Sequence, residues 1–170
     1  MERRMTETMV TKRTFLAGAA SLLGGFAIGG CGKKSDATTA ETFEVTKSPD
    51  QWRAILTPAQ FAVLRDEGTE RPRSSPLNDE KRRGTYQCAG CALPVYASEA
   101  KFESGTGWPS FTAPIKDAVR TKPDRGLLGT RTEVHCRRCG GHLGHVFDDG
   151  PPPTGQRWCM NGIAMTFTPA

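Results

Sequence analysis

Beyond residue 30 the chain has no apolar run approaching the about 18 residues that span a bilayer, so its body is expected to be soluble. It has no strong charge of either sign. Of the formal +5, residues 1–30 carry +2, from Arg3, Arg4, Lys12 and Arg13 against Glu2 and Glu7, and the remainder only +3. That balance argues against a nucleic-acid partner. It has no internal repeat apart from a paired Cys-x-x-Cys, and no helical periodicity after Gly68. What is left, in 170 residues, is enough for one domain with one modest core.

The first thirty residues read as a signal peptide: Lys12-Arg13 precede Phe15-Leu16, and an uncharged Ala/Gly/Leu-rich run follows to Gly30. The paired cations are similar to a twin-arginine signal with Lys in the first place. Ile28-Gly29-Gly30-Cys31 resembles a lipobox cleaved before a cysteine that then carries lipid. Cleavage elsewhere, or retention as an anchor helix, are the other readings. Residues 31–47 form a flexible tether, and the protein is expected on the outer side of the membrane, attached through Cys31 alone.

The folded part, 48–170, opens on two short helices. Ser48-Pro49-Asp50-Gln51 and Thr57-Pro58-Ala59-Gln60 each supply a hydroxyl N-cap, Pro at the first helical position and Gln at the third. Trp52, Ile55 and Leu56 are expected on one face of the first helix, Phe61 and Leu64 on one face of the second. From Tyr86 the chain turns to short β-prone runs: Leu93–Tyr96, Thr132–His135, His145–Phe147 and Ile163–Phe167. These predict a mainly β, antiparallel domain. Asp117 to Thr130 and Asp148 to Gly155 are expected as long loops.

Four of the six cysteines fall into two pairs, Cys88/Cys91 and Cys136/Cys139, with 44 residues between the pairs. A two-residue gap lets one turn aim both sulfurs at a tetrahedral ion, and two such turns would complete a closed four-thiolate site for one structural Zn2+. Redox pairs, or disulfides in an exported protein, fit the same spacing. A twin-arginine route would load metal in the reducing cytoplasm before export. Cys159 stands apart, in Arg157-Trp158-Cys159-Met160-Asn161. Strand alternation puts Arg157, Cys159 and Asn161 on one face, where a guanidinium favours thiolate and an amide can orient a polar group. His142 and His145 add imidazoles suited to proton transfer near neutrality, with core packing or metal ligation as the other readings.

Ser104-Gly105-Thr106-Gly107-Trp108-Pro109-Ser110-Phe111, Arg131-Thr132-Glu133-Val134, Gly144-His145-Val146-Phe147-Asp148-Asp149-Gly150-Pro151 and Arg157-Trp158-Cys159-Met160-Asn161, with both Cys-x-x-Cys pairs, resemble a B-type methionine sulfoxide reductase over roughly residues 48–168. Arg82-Arg83-Gly84-Thr85-Tyr86-Gln87-Cys88 resembles that family too. The resemblance implies a fold of coiled antiparallel sheets (Mss4-like, or β-tent), short N-terminal helices and a structural zinc. It implies reduction of methionine R-sulfoxide in oxidised proteins or peptides: Cys159 attacks the sulfoxide sulfur, His145 protonates the leaving oxygen, and Trp108 packs on the substrate methyl. His142, Asn161, Phe147 and Arg157 complete the substrate site, and Cys159 becomes a sulfenic acid.

At Thr106 many members of that family carry a second cysteine, which resolves the sulfenic acid. Here a thioredoxin-like partner or another external thiol is expected to reduce Cys159 directly, with the protein acting as a monomer. The reading from another class is a non-catalytic, zinc-stabilised β module for binding or chaperoning, in which Cys159 is inert.

Overall fold

The computed structural model describes residues 41–170 except 127 and 128; the expected signal peptide, lipobox and Cys31 lie outside the described residues. Helices α1 (Pro49–Ile55) and α2 (Pro58–Leu64) begin where their caps dictate. Ser48 Oγ accepts from Gln51 N at 3.2 Å while Ser48 N donates to Gln51 Oε1 at 2.9 Å. Thr57 and Gln60 repeat the exchange at 3.2 and 3.0 Å. Each cap satisfies amides the first helical turn leaves unpaired, worth about 1 kcal/mol. Trp52 and Leu56, one turn apart, are buried, but Ile55 is 55% exposed. So short a helix buries one narrow stripe, and Ile55 falls on the other side of Trp52 from Leu56.

Among the described residues nine strands follow: β1 (Gly84–Cys88), β2 (Pro94–Ala97), β3 (Lys101–Phe102), β4 (Ser110–Phe111), β5 (Val119–Gly126), β6 (Gly129–Cys136), β7 (His142–Phe147), β8 (Arg157–Met160) and β9 (Met165–Pro169). They form two antiparallel sheets, ordered β2-β1-β9 and β3-β4-β8-β7-β6-β5. Tyr86, Val95 and Tyr96 from the small sheet and Phe111, Val134, Leu143 and Met160 from the large one are fully buried together. Tyr96 stacks on Phe111 at 4.3 Å, and Tyr86 meets the same ring edge-on at 5.0 Å. Each such side chain contributes about 1.5–3 kcal/mol by leaving water.

Two expectations are corrected. Asp117 to Thr130 is not a loop: most of it is β5 and the start of β6, paired from Val119↔Cys136 to Gly126↔Gly129. Its residues alternate little in polarity because β5 is an outer edge strand, mostly exposed, and an edge also tolerates Pro123. The last strand starts at Met165, since Gly162–Ala164 forms a 3-10 turn whose Gly162 and Ile163 amides donate to Glu70 Oε1 and Oε2 at 2.5 and 3.1 Å.

Part of the expected tether, 41–47, runs along the second cysteine pair. Val45 N donates to Arg138 O at 3.0 Å, Arg137 Nη1 to Glu44 Oε1 at 2.5 Å, and Glu41 Oε2 lies 2.8 Å from His135 Nε2. Among the described residues no helix is long and apolar enough to cross a membrane.

Candidate active site and metal centre

The two Cys-x-x-Cys turns sit at the ends of β1 and β6, one per sheet, so convergence of their sulfurs rivets the sheets together. All four Sγ atoms lie within 4.8 Å of one another. Cys88 and Cys139 are 3.7 Å apart, Cys91 and Cys136 3.5 Å. A disulfide needs about 2.05 Å, so these are separate thiols. A tetrahedron with metal–sulfur bonds of about 2.3 Å has edges of about 3.8 Å, which fits both contacts. The set can hold one tetrahedral metal ion and leaves no coordination position for substrate.

Cys159 belongs to a different place. It lies on β8 between β7 and β4, opposite His145 on one side and Ser110 on the other. That approach requires Gly144: a Cβ there would stand 2.2 Å from the Cys159 carbonyl oxygen. Cys159 lines a mainly apolar cavity of about 130 Å³ with Thr69, Trp108, Arg131, His145, Phe147 and Asn161.

The loop before β4 brings in the aromatic wall. Gly105 and Gly107 have φ of 74° and 93°, left-handed values glycine adopts freely, and between them Thr106 turns its hydroxyl to 4.0 Å from Cys159 Sγ. Ser104 Oγ links Thr106 Oγ1 at 2.8 Å to Ser110 Oγ at 2.7 Å, a hydroxyl chain around the thiol. Trp108 Nε1 donates to Glu70 O at 3.1 Å, fixing the indole. Asn161 lines the cavity with its amide already engaged: Oδ1 accepts from Glu70 N at 2.9 Å and Nδ2 donates to Leu143 O at 3.1 Å.

Arg157 forks onto Asp149, Nε to Oδ1 and Nη2 to Oδ2, both at 2.9 Å, and its guanidinium lies over Phe147 at 4.5 Å. With that charge largely committed, burial dominates the thiol: Cys159 is pushed above the ordinary thiol range, and Arg157, Thr106 and Ser110 only partly offset the shift. The thiolate that a nearby guanidinium favours is therefore outweighed, and Cys159 rests as a protonated thiol near neutrality.

His145 is neutral at rest for the same reason: burial pushes it down, opposed by Asp124. Its Nε2 lies 2.7 Å from Asp124 Oδ2. His142 does not line the cavity. It sits against His145, ring centroids 5.4 Å apart, with Nδ1 3.1 Å from Glu133 Oε1 but without hydrogen-bond alignment.

Three contributors carried no local signal. Glu70, outside any strand, holds Trp108, Asn161 and the turn after β8 through both backbone and carboxylate. Asp124 lies in the segment read as a loop, and Thr69 in a stretch with no pattern. The register of the β5–β6 hairpin places Asp124, and contacts between segments far apart in the chain place Glu70 and Thr69.

Comparison with known proteins gives a match to the SelR domain over residues 56–169. A peptide methionine sulfoxide reductase MsrB of Methanosarcina mazei is 52% identical over 126 residues, covering 74% of this chain and 90% of that protein. One from Bradyrhizobium diazoefficiens is 51% identical over 136 residues, covering 79% and 98%. One from Pseudomonas putida strain W619 is 50% identical over 129 residues, covering 74% and 96%.

Proposed function

The chain belongs to the SelR-domain family of B-type methionine sulfoxide reductases, and from that premise we propose that it reduces methionine R-sulfoxide in oxidised proteins through Cys159. The observation that carries the chemistry is the meeting of a thiol, an imidazole and an indole in one small cavity built from β7, β8 and the Trp108 loop.

The thiol and imidazole are both uncharged at rest, so one proton serves the reaction. His145 takes it from Cys159 as Sγ attacks the sulfoxide sulfur, then delivers it to the sulfoxide oxygen. Sulfoxide sulfur gains two electrons and leaves as a thioether; Cys159 loses two and carries the oxygen as a sulfenic acid. Trp108 and Phe147 supply the apolar wall for the methyl and side chain. His142 and Asn161 hold the ring and the cavity floor in place around the substrate. Two external thiol groups, from a thioredoxin-like dithiol or two small thiols, then return Cys159 to the thiol, releasing water and a disulfide.

The ion at the cysteine cluster is zinc: four thiolates are its soft tetrahedral donor set, and it stabilises the fold without entering the reaction. The protein acts as a monomer. In support, Ile55 is the single large apolar side chain left exposed among the described residues. The N-terminal segment exports the domain and anchors it through lipidated Cys31, which membrane fractionation of wild type against Cys31→Ala tests.

The decisive experiment is a single turnover with separate R and S sulfoxides, followed by mass analysis of Cys159. Methionine formed from the R isomer alone, with one oxygen added to Cys159, is the expected result. Turnover unchanged in Cys159→Ser overturns the reading.

A further inference from the structure

His145 has a partner that the chemistry above leaves unused. Asp124 projects from β5, two strands away from β7, and its Oδ2 takes both His145 Nε2 at 2.7 Å and Arg131 Nη2 at 2.6 Å. Asp124 and Arg131 are direct cross-strand neighbours, so the pair is built into the register of the β5–β6 hairpin. Arg131 also lines the cavity.

We propose that Asp124, clamped by Arg131, is the positioning residue for the His145 imidazole, committing Nε2–H to the carboxylate and leaving Nδ1 to exchange the proton with Cys159 and substrate. The inference rests on the reductase reading for its consequence in turnover, though not for the tautomer it fixes.

A nucleophile, a base and a group that orients the base form a recurring catalytic logic, recognised by geometry rather than sequence position. Here Cys159 and His145 face each other across β8 and β7, and the third member arrives from the sheet edge. The carboxylate is held ionised: hydrogen bonds from His145 and Arg131 keep Asp124 below the usual carboxylate range. It in turn opposes the burial that drives His145 toward weak basicity.

The other titratable and charged groups around the ring are Arg131 and Glu133 on β6, His142 on β7, and Cys159 and Arg157 on β8. Glu133 lies 3.1 Å from Lys122 Nζ, and 3.1 Å from His142 Nδ1 without hydrogen-bond alignment. Arg157 is engaged by Asp149. Asp124 is the one carboxylate in hydrogen-bond contact with His145 among the described residues.

The test uses the full metal-loaded protein and the variants Asp124→Asn, Asp124→Glu and Arg131→Gln, with single-turnover rates against pH and nitrogen NMR of 15N-labelled His145. In wild type the spectrum is expected to show the Nε2–H tautomer. In Asp124→Asn the His145 pKa falls by about one unit, because the group that raises it is gone. The acid limb of the rate profile, where protonated His145 cannot take the thiol proton, moves to lower pH by the same amount. The plateau rate falls at least about tenfold to a hundredfold, the loss seen when the partner that orients a metal-bound histidine is removed. Asp124→Glu recovers most of it, and Arg131→Gln falls between wild type and Asp124→Asn. In a His145→Gln background, Asp124→Asn costs little further.

If Asp124→Asn lowers the melting temperature but leaves tautomer, His145 pKa and rate profile as in wild type, Asp124 only ties the hairpin and the proposal fails. A wild-type protein inert toward the sulfoxide overturns the functional reading instead, and the NMR measurements still decide the positioning role.

Discussion

Replacing Gly144 by alanine tests the strand packing that creates the site. A Cβ on residue 144 would lie 2.2 Å from Cys159 O, 3.1 Å from Cys159 C and 2.9 Å from Met160 Cα. All three neighbours are backbone, so no rotamer change relieves the clash, and β7 and β8 must part by about 1 Å. That separation breaks the hydrogen bonds Leu143 O accepts from Asn161 N at 2.8 Å and Asn161 Nδ2 at 3.1 Å. Overpacking costs about 1–3 kcal/mol. Each buried polar group left unpaired costs about 1–3 kcal/mol more. With both Asn161 donors left unpaired the total is about 3–9 kcal/mol, a large part of the roughly 5–15 kcal/mol stability of a domain. At about 2.1 cal/mol/K per residue over some 130 residues, the melting temperature drops by roughly 10–30 °C.

Gly126→Ala is the control. Among the described residues a Cβ there has Gly129 O at 3.9 Å as its nearest neighbour and meets no positive φ, so its effect should stay within about 1 kcal/mol. Calorimetry of the two variants, with single-turnover rates at a temperature where both are folded, measures both consequences. Gly144→Ala should also lose turnover, since Cys159 and His145 no longer oppose each other. A Gly144→Ala protein melting within about 3 °C of Gly126→Ala would refute the packing described here.

Other outcomes follow from the same geometry. Thr106→Cys places a second sulfur where the hydroxyl now lies 4.0 Å from Cys159 Sγ. One equivalent of sulfoxide without reductant should then yield, by peptide mapping, a disulfide between Cys159 and the introduced thiol, whereas the wild type keeps a trappable sulfenic acid. A sulfenic acid that persists equally in the variant contradicts the placement of the Trp108 loop. Stripping zinc with a strong chelator under reducing conditions removes about 10–16 kcal/mol of binding energy, comparable to or larger than the whole stability of the domain. Circular dichroism should therefore show global unfolding that added zinc reverses, and a metal-free protein with a native melting curve contradicts the riveting role.

Local chemistry is legible in the order of the residues. The two capping boxes, the cysteine spacings and the flanks of Cys159 act within a few positions, so their place in the chain carries their meaning, and the same holds for most of the strands. The cluster of Cys88, Cys91, Cys136 and Cys139 and the gathering of Cys159, His145, Trp108, Phe147 and Asn161 in one cavity follow from motifs already visible. Three features emerge only when the chain is folded. β5 carries no signature in the sequence, because an edge strand facing water has no alternation to display, and Asp124 lies on it. Glu70 acts through its position beside Trp108, Asn161 and Gly162, contacts up to 92 residues away in the chain. The protonation state of Cys159 depended on burial against a guanidinium already held by Asp149, a balance that neighbouring letters do not record. Spacing governs what one turn or one strand can do; which distant groups then share a low-dielectric cavity is set by strand register, and that register sets their charge.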